Sequence, residues 1–272
     1  MPEGSKIWLL NLGLLDVDEA TIKSGANQWP ADAPLRPNER RKLVMIALLV
    51  YHPQEGLFLF DCGSCEDIIK HWNPRTLECT PRIWVKEEHG LPAAIRATGN
   101  DIRDVKAVVL SHLHFDHAGG LEHFMNTDTE IWCHELEYKN AFWLCGTQLE
   151  KSLYLPDYLV VRGLKWRTFS QDVWELFQGV TLHRCPGHTE GSCIAEFQLP
   201  SGKTFIATSD LLHIKENYED GIPQGNLITE LNQWHRSRQY VQQLVKRKNA
   251  MILLGHDLEY FESFEKSPKY IA

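Results

Sequence analysis

The run Leu43-Val44-Met45-Ile46-Ala47-Leu48-Leu49-Val50 holds no polar residue in eight positions. It is the longest such run in the chain, yet far short of the roughly 20 residues that a membrane-spanning helix needs. An uninterrupted apolar run of this length, closed by Tyr51 and the turn sequence His52-Pro53-Gln54-Glu55-Gly56, reads as a buried strand at the start of a hairpin. The rest of the chain must then provide the layers that cover it.

Shorter runs of the same character recur at Ile7–Leu12, Leu57–Phe60, Lys106–Leu110, Glu130–Cys133, Val180–Cys185, Cys193–Leu199, Thr204–Thr208 and Met251–Leu254. Their lengths and their β-branched and aromatic content suit strands. Helical spacing occupies Val85–Thr98, His134–Leu144 and Thr229–Lys248. In the last, Leu231, Trp234, Val241, Leu244 and Val245 form a core-facing stripe, and the cations at its C-terminal end suit the helix dipole. Two long polar stretches, Gly13–Lys42 and Gly146–Arg167, carry no comparable run, and loops of that length usually serve a site. Strands, then a helix, then strands again predict an α+β fold: two mixed sheets face to face with helices outside, a four-layer αββα sandwich.

No repeat, low-complexity tract or Pro/Gly/Ser linker divides the chain, so residues 1–272 are expected to form one domain. Hydrophobic residues are 43% and charged residues 24%, enough for a full core. The net charge of −8 argues against nucleic acid as a partner, because phosphate contacts need a basic face. Met1–Lys6 leads into Ile7–Leu10 without the pattern of a secretory signal, and no run is long enough for a membrane helix. The seven cysteines are scattered, and the Cys62/Cys65 pair has no second pair at zinc-ribbon spacing. Reduced thiols, a cytoplasmic location and a monomer or homodimer are the expectation.

The chemistry concentrates in Ser111-His112-Leu113-His114-Phe115-Asp116-His117-Ala118-Gly119-Gly120. It follows the run Lys106–Leu110, and its glycines allow a tight turn into a short helix, Leu121–Met125. Alternate side chains of such a loop splay toward one point, so His112 and His114 can grip one cation while Asp116 and His117 grip a second. Neutral imidazole suits Zn²⁺, and a carboxylate completes the donor set. Three more ligand-type residues stand directly after strand-like runs: His188 in Cys185-Pro186-Gly187-His188-Thr189, Asp210 in Thr208-Ser209-Asp210, and His256 in Leu254-Gly255-His256-Asp257. Chance placement of histidines does not predict that regularity.

In this order and spacing, "SHLHFDHAGG", "PGHT", "DLLHIKENYEDGIP" and "GHDLE" resemble the metallo-β-lactamase superfamily, and more closely its quorum-quenching N-acyl-homoserine lactonases. The resemblance implies a dinuclear metal hydrolase. His112, His114 and His188 would hold one metal, Asp116, His117 and His256 the other, and Asp210 would bridge them. Two Zn²⁺ ions per chain are implied, with Mn, Co or Fe as other possibilities. Two such ions about 3.5–4 Å apart make a shared water nucleophilic near neutral pH. The substrate would be a small lactone whose ring carbonyl that nucleophile attacks, and Asp116 would shuttle the proton.

The chain departs from the lactonases at one site position. Where they usually carry a tyrosine, three residues after the bridging aspartate, this chain carries His213. An imidazole there can donate a hydrogen bond and titrates near pH 6.5. The departure leaves open a lactam or a cyclic carbamate, such as a benzoxazolinone, beside a lactone. Phe115, Trp29, Trp143 and Tyr154 are candidates to line an apolar substrate slot.

Overall fold

The structure is a computed structural model, and it describes residues 1–34, 36–149 and 153–272. Residues 35 and 150–152, which fall in the two long polar stretches, lie outside the described residues.

The apolar run becomes the centre of a strand buried on both faces. Leu43, Met45, Ala47 and Leu49 point into one core cluster, and Val44, Ile46, Leu48 and Val50 into another. The period of two therefore requires a layer on each side of this strand. It belongs to a seven-stranded sheet made of β1 (Lys6–Asp18), β2 (Arg40–His52), β3 (Gly56–Phe60), β4 (Arg82–Ile83), β5 (Val105–Val109), β6 (Glu130–His134) and β7 (Lys165–Phe169). The order is β4-β1-β2-β3-β5-β6-β7. The pairs β1–β2 and β2–β3 are antiparallel, and β3–β5, β5–β6 and β6–β7 are parallel.

The second sheet has five strands: β8 (Val173–Phe177), β9 (Val180–Arg184), β10 (Cys193–Gln198), β11 (Thr204–Ala207) and β12 (Met251–Leu253), in the order β12-β11-β10-β9-β8. Only β11–β12 is a parallel pair within it. Val180, Leu182, Ala195, Phe197, Phe205 and Ala207 from this sheet meet the β2 residues in the layer between the sheets. On its outer face, Ile194 and Ile206 pack under Trp234, Val241 and Leu244 of the helix Leu231–Lys248. The outer face of the first sheet is covered by Leu91, Ala94 and Ile95 of the helix Leu91–Ala97 and by Ala141 of the helix Glu135–Thr147. Three apolar layers separate four layers of structure, which is the expected αββα sandwich. Among the described residues, no helix is long and apolar enough to cross a membrane.

The differences from expectation have local causes. The stretch Gly13–Lys42 is not all loop: β1 runs on to Asp18 and β2 begins at Arg40, paired as Asp16↔Lys42 and Asp18↔Arg40. Charged residues hid these strand ends, because an ion pair between Arg40 and Asp16, with Nε 2.8 Å from Oδ1, stands where apolar contacts would otherwise mark a strand. The expected helix over Val85–Thr98 is two helices, Lys86–His89 and Leu91–Ala97. Gly90 between them is extended, and Pro92 opens the second. The expected helix over Leu121–Met125 is a 3₁₀ segment, Gly119–Phe124. Its glycines are required by close approach: a Cβ at Gly120 would lie 2.2 Å from the Cys62 carbonyl oxygen. Strands β4, β7 and β8 are short or alternate polar with apolar residues, and carried no uninterrupted run.

Trp234 is fully buried, and its Nε1 donates to the Leu211 carbonyl at 2.8 Å, one residue past Asp210. Trp234→Ala should cost about 3–5 kcal/mol of folding stability. The urea midpoint measures it, and a cost below about 1 kcal/mol would mean that the third core layer does not depend on this side chain.

Candidate metal centre

Each clustered side chain lies just past the end of a strand. His112 and His114 follow β5, and Asp116 and His117 sit in the single helical turn Phe115–Ala118. His188 follows β9, Asp210 lies in the 3₁₀ turn Ser209–Leu211 after β11, and His256 follows β12. One loop of the first sheet and three of the second therefore build a common site. All seven side chains are buried.

They form two groups that share Asp210. In the first, His112 Nε2 and His114 Nδ1 are 3.0 Å apart, and His188 Nε2 is 3.2 and 3.0 Å from them. Asp210 Oδ2 lies 3.3 Å from His188 Nε2 and 3.6 Å from His112 Nε2. In the second, His117 Nε2 and His256 Nε2 are 3.3 Å apart, and Asp210 Oδ1 lies 2.9 and 2.8 Å from them. Asp116 Oδ2 is 3.8 Å from His117 Nε2 and 3.6 Å from His256 Nε2. A tetrahedron with metal–nitrogen bonds of about 2.0–2.1 Å has edges of about 3.3–3.4 Å. Both groups have that scale.

The outward-facing ring nitrogens decide what the inward ones can do. His256 Nδ1 is 2.9 Å from the Val44 carbonyl, which only accepts, so Nδ1 carries the proton. His117 Nδ1 donates to Asp61 Oδ2 at 2.9 Å, and His188 Nδ1 to Gln224 Oε1 at 3.1 Å. Ser111 Oγ donates to Asp61 Oδ2, which leaves it to accept from His112 Nδ1 at 2.9 Å. In the neutral rings, the Nε2 lone pairs of these four histidines thus point inward at one another. Such lone pairs repel unless a cation or a proton lies between them. Asp210 Oδ1 is also buried without a well-directed hydrogen bond, despite its two close nitrogen neighbours. The donor set fits a pair of divalent cations.

The titration behaviour follows. Burial, together with neighbouring imidazoles, holds His112 and His114 well below the ordinary histidine range, and burial pushes His188 down to about 4. Burial acts on His117 in the same sense, but the carboxylates of Asp210, Asp116 and Asp61 outweigh it and hold this ring well above that range. His256 is raised against burial by Asp210 and Asp116. Burial opposes ionisation of Asp210, yet the surrounding rings of His117, His213, His256 and His112 keep it well below the usual carboxylate range.

Asp61 and Gln224 were not singled out from sequence. Asp61 directly follows β3, so the pattern that flagged the other strand ends could have found it. It has φ +62° and Ser209 has φ +44°, two non-glycine residues in the left-handed region beside the same site.

The site floors a cavity of about 390 Å³, to which His114, Asp116, His188, Asp210, His213 and His256 contribute. Leu15, Val17, Ile22, Leu43, Phe115, Leu153 and Leu227 supply apolar wall. Of the four aromatic candidates, Phe115 lines the cavity, backed by Trp72 at 4.4 Å. Tyr154 is buried with its ring 4.7 Å from that of His114, behind the wall. Trp29 stacks on Arg36 and Trp143 is 57% exposed on its helix, and neither lines the cavity. His213 is buried, with Nε2 3.1 Å from Asp210 Oδ2 and Nδ1 without a partner among the described residues. Burial lowers its pKa below the ordinary value.

Comparison with known proteins places this geometry. The family model of the metallo-beta-lactamase superfamily matches residues 44–256, a span that contains all seven side chains. The N-acyl homoserine lactonase AttM of Agrobacterium fabrum is 30% identical over 237 residues, 82% of this chain and 86% of that protein. The N-acyl homoserine lactonase AiiA of Bacillus thuringiensis subsp. kurstaki is 26% identical over 269 residues, 98% of each chain. A crystal structure of a mutant of B. thuringiensis AiiA, with N-decanoyl-L-homoserine at its active site, shares the fold with a TM-score of 0.82 over 98% of each chain at 24% identity.

Loading with metal should release protons at neutral pH, because without an ion His117, held well above the ordinary histidine range, keeps a proton that a cation must displace, and His256 is shifted in the same direction. The lowered rings of the first group are already neutral there. Affinity should therefore rise with pH through neutrality. Proton uptake or release in weakly buffered solution during Zn²⁺ addition measures this, and loading without proton release would contradict it.

Proposed function

Because the chain belongs to the metallo-beta-lactamase superfamily, we propose that it is a metal-dependent hydrolase that opens the ring of a lactone, an N-acyl-homoserine lactone before others, at a dinuclear zinc centre. The observation that carries this reading is the pair of buried imidazole–carboxylate groups joined through Asp210 at the floor of a cavity. AttM of Agrobacterium fabrum and AiiA of Bacillus thuringiensis subsp. kurstaki, which this chain matches over most of their length, are N-acyl homoserine lactonases. The donor set suits zinc, since it combines imidazole nitrogen with carboxylate oxygen at tetrahedral scale, and its lack of sulfur disfavours thiophilic ions such as Cu(I).

When bound, two such ions supply an activated water and polarise the ester carbonyl. The chain's own residues do the remainder. His112, His114 and His188 would hold one ion and Asp116, His117 and His256 the other, and Asp210, which places one carboxylate oxygen near each group, would serve both. Asp61, Gln224 and the Val44 carbonyl fix the ring tautomers from behind. Asp116, which lines the cavity, takes the proton from the attacking water and delivers it to the ring oxygen that leaves. The products are a carboxylate and a free hydroxyl. Phe115 and the aliphatic wall exclude water from the acyl side. His213 hydrogen-bonds the substrate at the ring being opened.

His213 also favours a second reading. It lines the cavity beside Asp210 and keeps one ring nitrogen without a partner among the described residues, so it can handle a proton for a poor leaving group, which suits a cyclic amide or carbamate such as a benzoxazolinone.

Hydrolysis of acyl-homoserine lactones, simple γ- and δ-lactones and benzoxazolinones, followed by acid release, separates these readings. Chelator should abolish the reaction and Zn²⁺ restore it. Asp210→Ala should lower kcat/KM by more than about 100-fold and lose metal with it, exceeding the 10–100-fold typical of outer-shell changes. Asp210→Ala with two bound ions and full activity would reject the bridging role. His213→Ala should keep both ions and slow turnover by about 10²-fold, the lower range for acid–base groups. An unchanged rate would leave His213 a structural residue.

A further inference from the structure

Glu137 is completely buried and has no cationic partner among the described ion pairs, yet it lies outside both groups of metal donors. It occupies the first turn of the helix Glu135–Thr147, whose N-cap is His134. Its carboxylate reaches both loops that carry the first group of imidazoles. Oε1 accepts from the backbone N–H of Leu113, which stands between His112 and His114, at 3.0 Å. Oε2 accepts from the Thr189 hydroxyl at 2.6 Å and from the Gly191 N–H at 3.3 Å, just past His188. The Tyr154 hydroxyl, whose ring abuts His114, donates to Oε1 at 3.5 Å.

Four groups donate to this side chain. A carboxylate, which only accepts, satisfies all four, and an amide or a protonated acid cannot. The chain has also shaped itself around the contact. A Cβ at Gly191 would lie 2.2 Å from Glu137 N and 2.6 Å from Glu137 Cβ, so only glycine lets the His188 loop approach this closely. An isolated buried carboxylate is costly. The helix N-terminus offsets part of that cost. The four hydrogen bonds offset more of it.

We propose that Glu137 is a positioning residue for the first metal group: its carboxylate ties the β5 loop of one sheet to the β9 loop of the other, and so sets the affinity for the ion that the three histidines hold. The proposal rests on the two-ion reading above. Without the tie, the segment from Leu113 to His114 loses its hold on the His188 loop, because the remaining links between the two sheets here, Cys193 N–H to the Ser111 carbonyl at 2.9 Å and Ser209 Oγ to Ser111 Oγ at 2.8 Å, both lie before His112. The second group does not use this link, since Asp61 and the Val44 carbonyl orient its rings.

Titration of the metal-free chain with Zn²⁺ against a chromophoric chelator tests this, with Glu137→Gln as the nearly isosteric variant. In the parent, two binding steps are expected. In Glu137→Gln, one step should weaken by about 10–100-fold while the other holds, and the weakened step should be the one that His188→Ala abolishes. Thr189→Val, which removes one donor without changing the shape, should weaken the same step by up to about 10-fold, and decides the matter if Glu137→Gln does not fold. Co²⁺ absorption should change for that ion alone. A parent that binds two ions beside a variant with both steps unchanged, or with both weakened equally, would overturn the role of Glu137 alone. A parent that binds no ion would overturn the two-ion reading and this proposal together.

Discussion

Everything at the site depends on electron pairs that face one another across about 3 Å. Four of the five clustered imidazoles have their outer nitrogen committed to an acceptor, which turns the other nitrogen inward, and Asp210 adds an oxygen to each group. Nothing in an apolar interior stabilises such an arrangement except positive charge. In the metal-free chain protons fill that need unevenly. They gather on His117 and His256, where carboxylates attract them, and stay off His112, His114 and His188. The two groups are therefore chemically distinct before any ion arrives, although they share a bridging residue.

The fold makes this possible by separating stability from chemistry. The three apolar layers lie along the bodies of the strands, and the titratable side chains lie on the loops past their ends. Donors from two different sheets can then meet at one rim without interrupting either sheet. The cost appears locally, as left-handed backbone at Asp61 and Ser209 and as glycines pressed against neighbouring backbone at Gly120 and Gly191. Outer hydrogen bonds accepted by Asp61, Gln224 and Glu137 hold loops that the sheets alone leave free.

Much of this was legible in the sequence, for a physical reason. A strand buried on both faces leaves an uninterrupted apolar run, and a ligand placed at its tip follows that run directly, so Lys106–Leu110 announces His112 and Met251–Leu254 announces His256. What escaped was structure stabilised by polar contacts. The extensions of β1 and β2 are held by the Arg40–Asp16 pair and read as loop. Glu137 looks like one more charge in a helix that begins Glu135-Leu136-Glu137, and nothing nearby in the chain tells it apart from the exposed side of that helix. Gln224 stands 36 positions from the ring it orients. The aromatic candidates divide for a similar reason: Phe115 belongs to the metal loop and shares its direction, whereas nothing but proximity in sequence to a long loop relates Trp29 and Trp143 to the cavity.

X-ray absorption at the zinc edge of the fully loaded protein reads the donor set and the metal separation together. The expected spectrum has nitrogen and oxygen neighbours at about 2.0–2.2 Å, no sulfur near 2.3 Å despite seven cysteines, and a second zinc about 3.5–4 Å away. An isolated zinc with no metal neighbour, or one bound to sulfur, would contradict the two-ion reading.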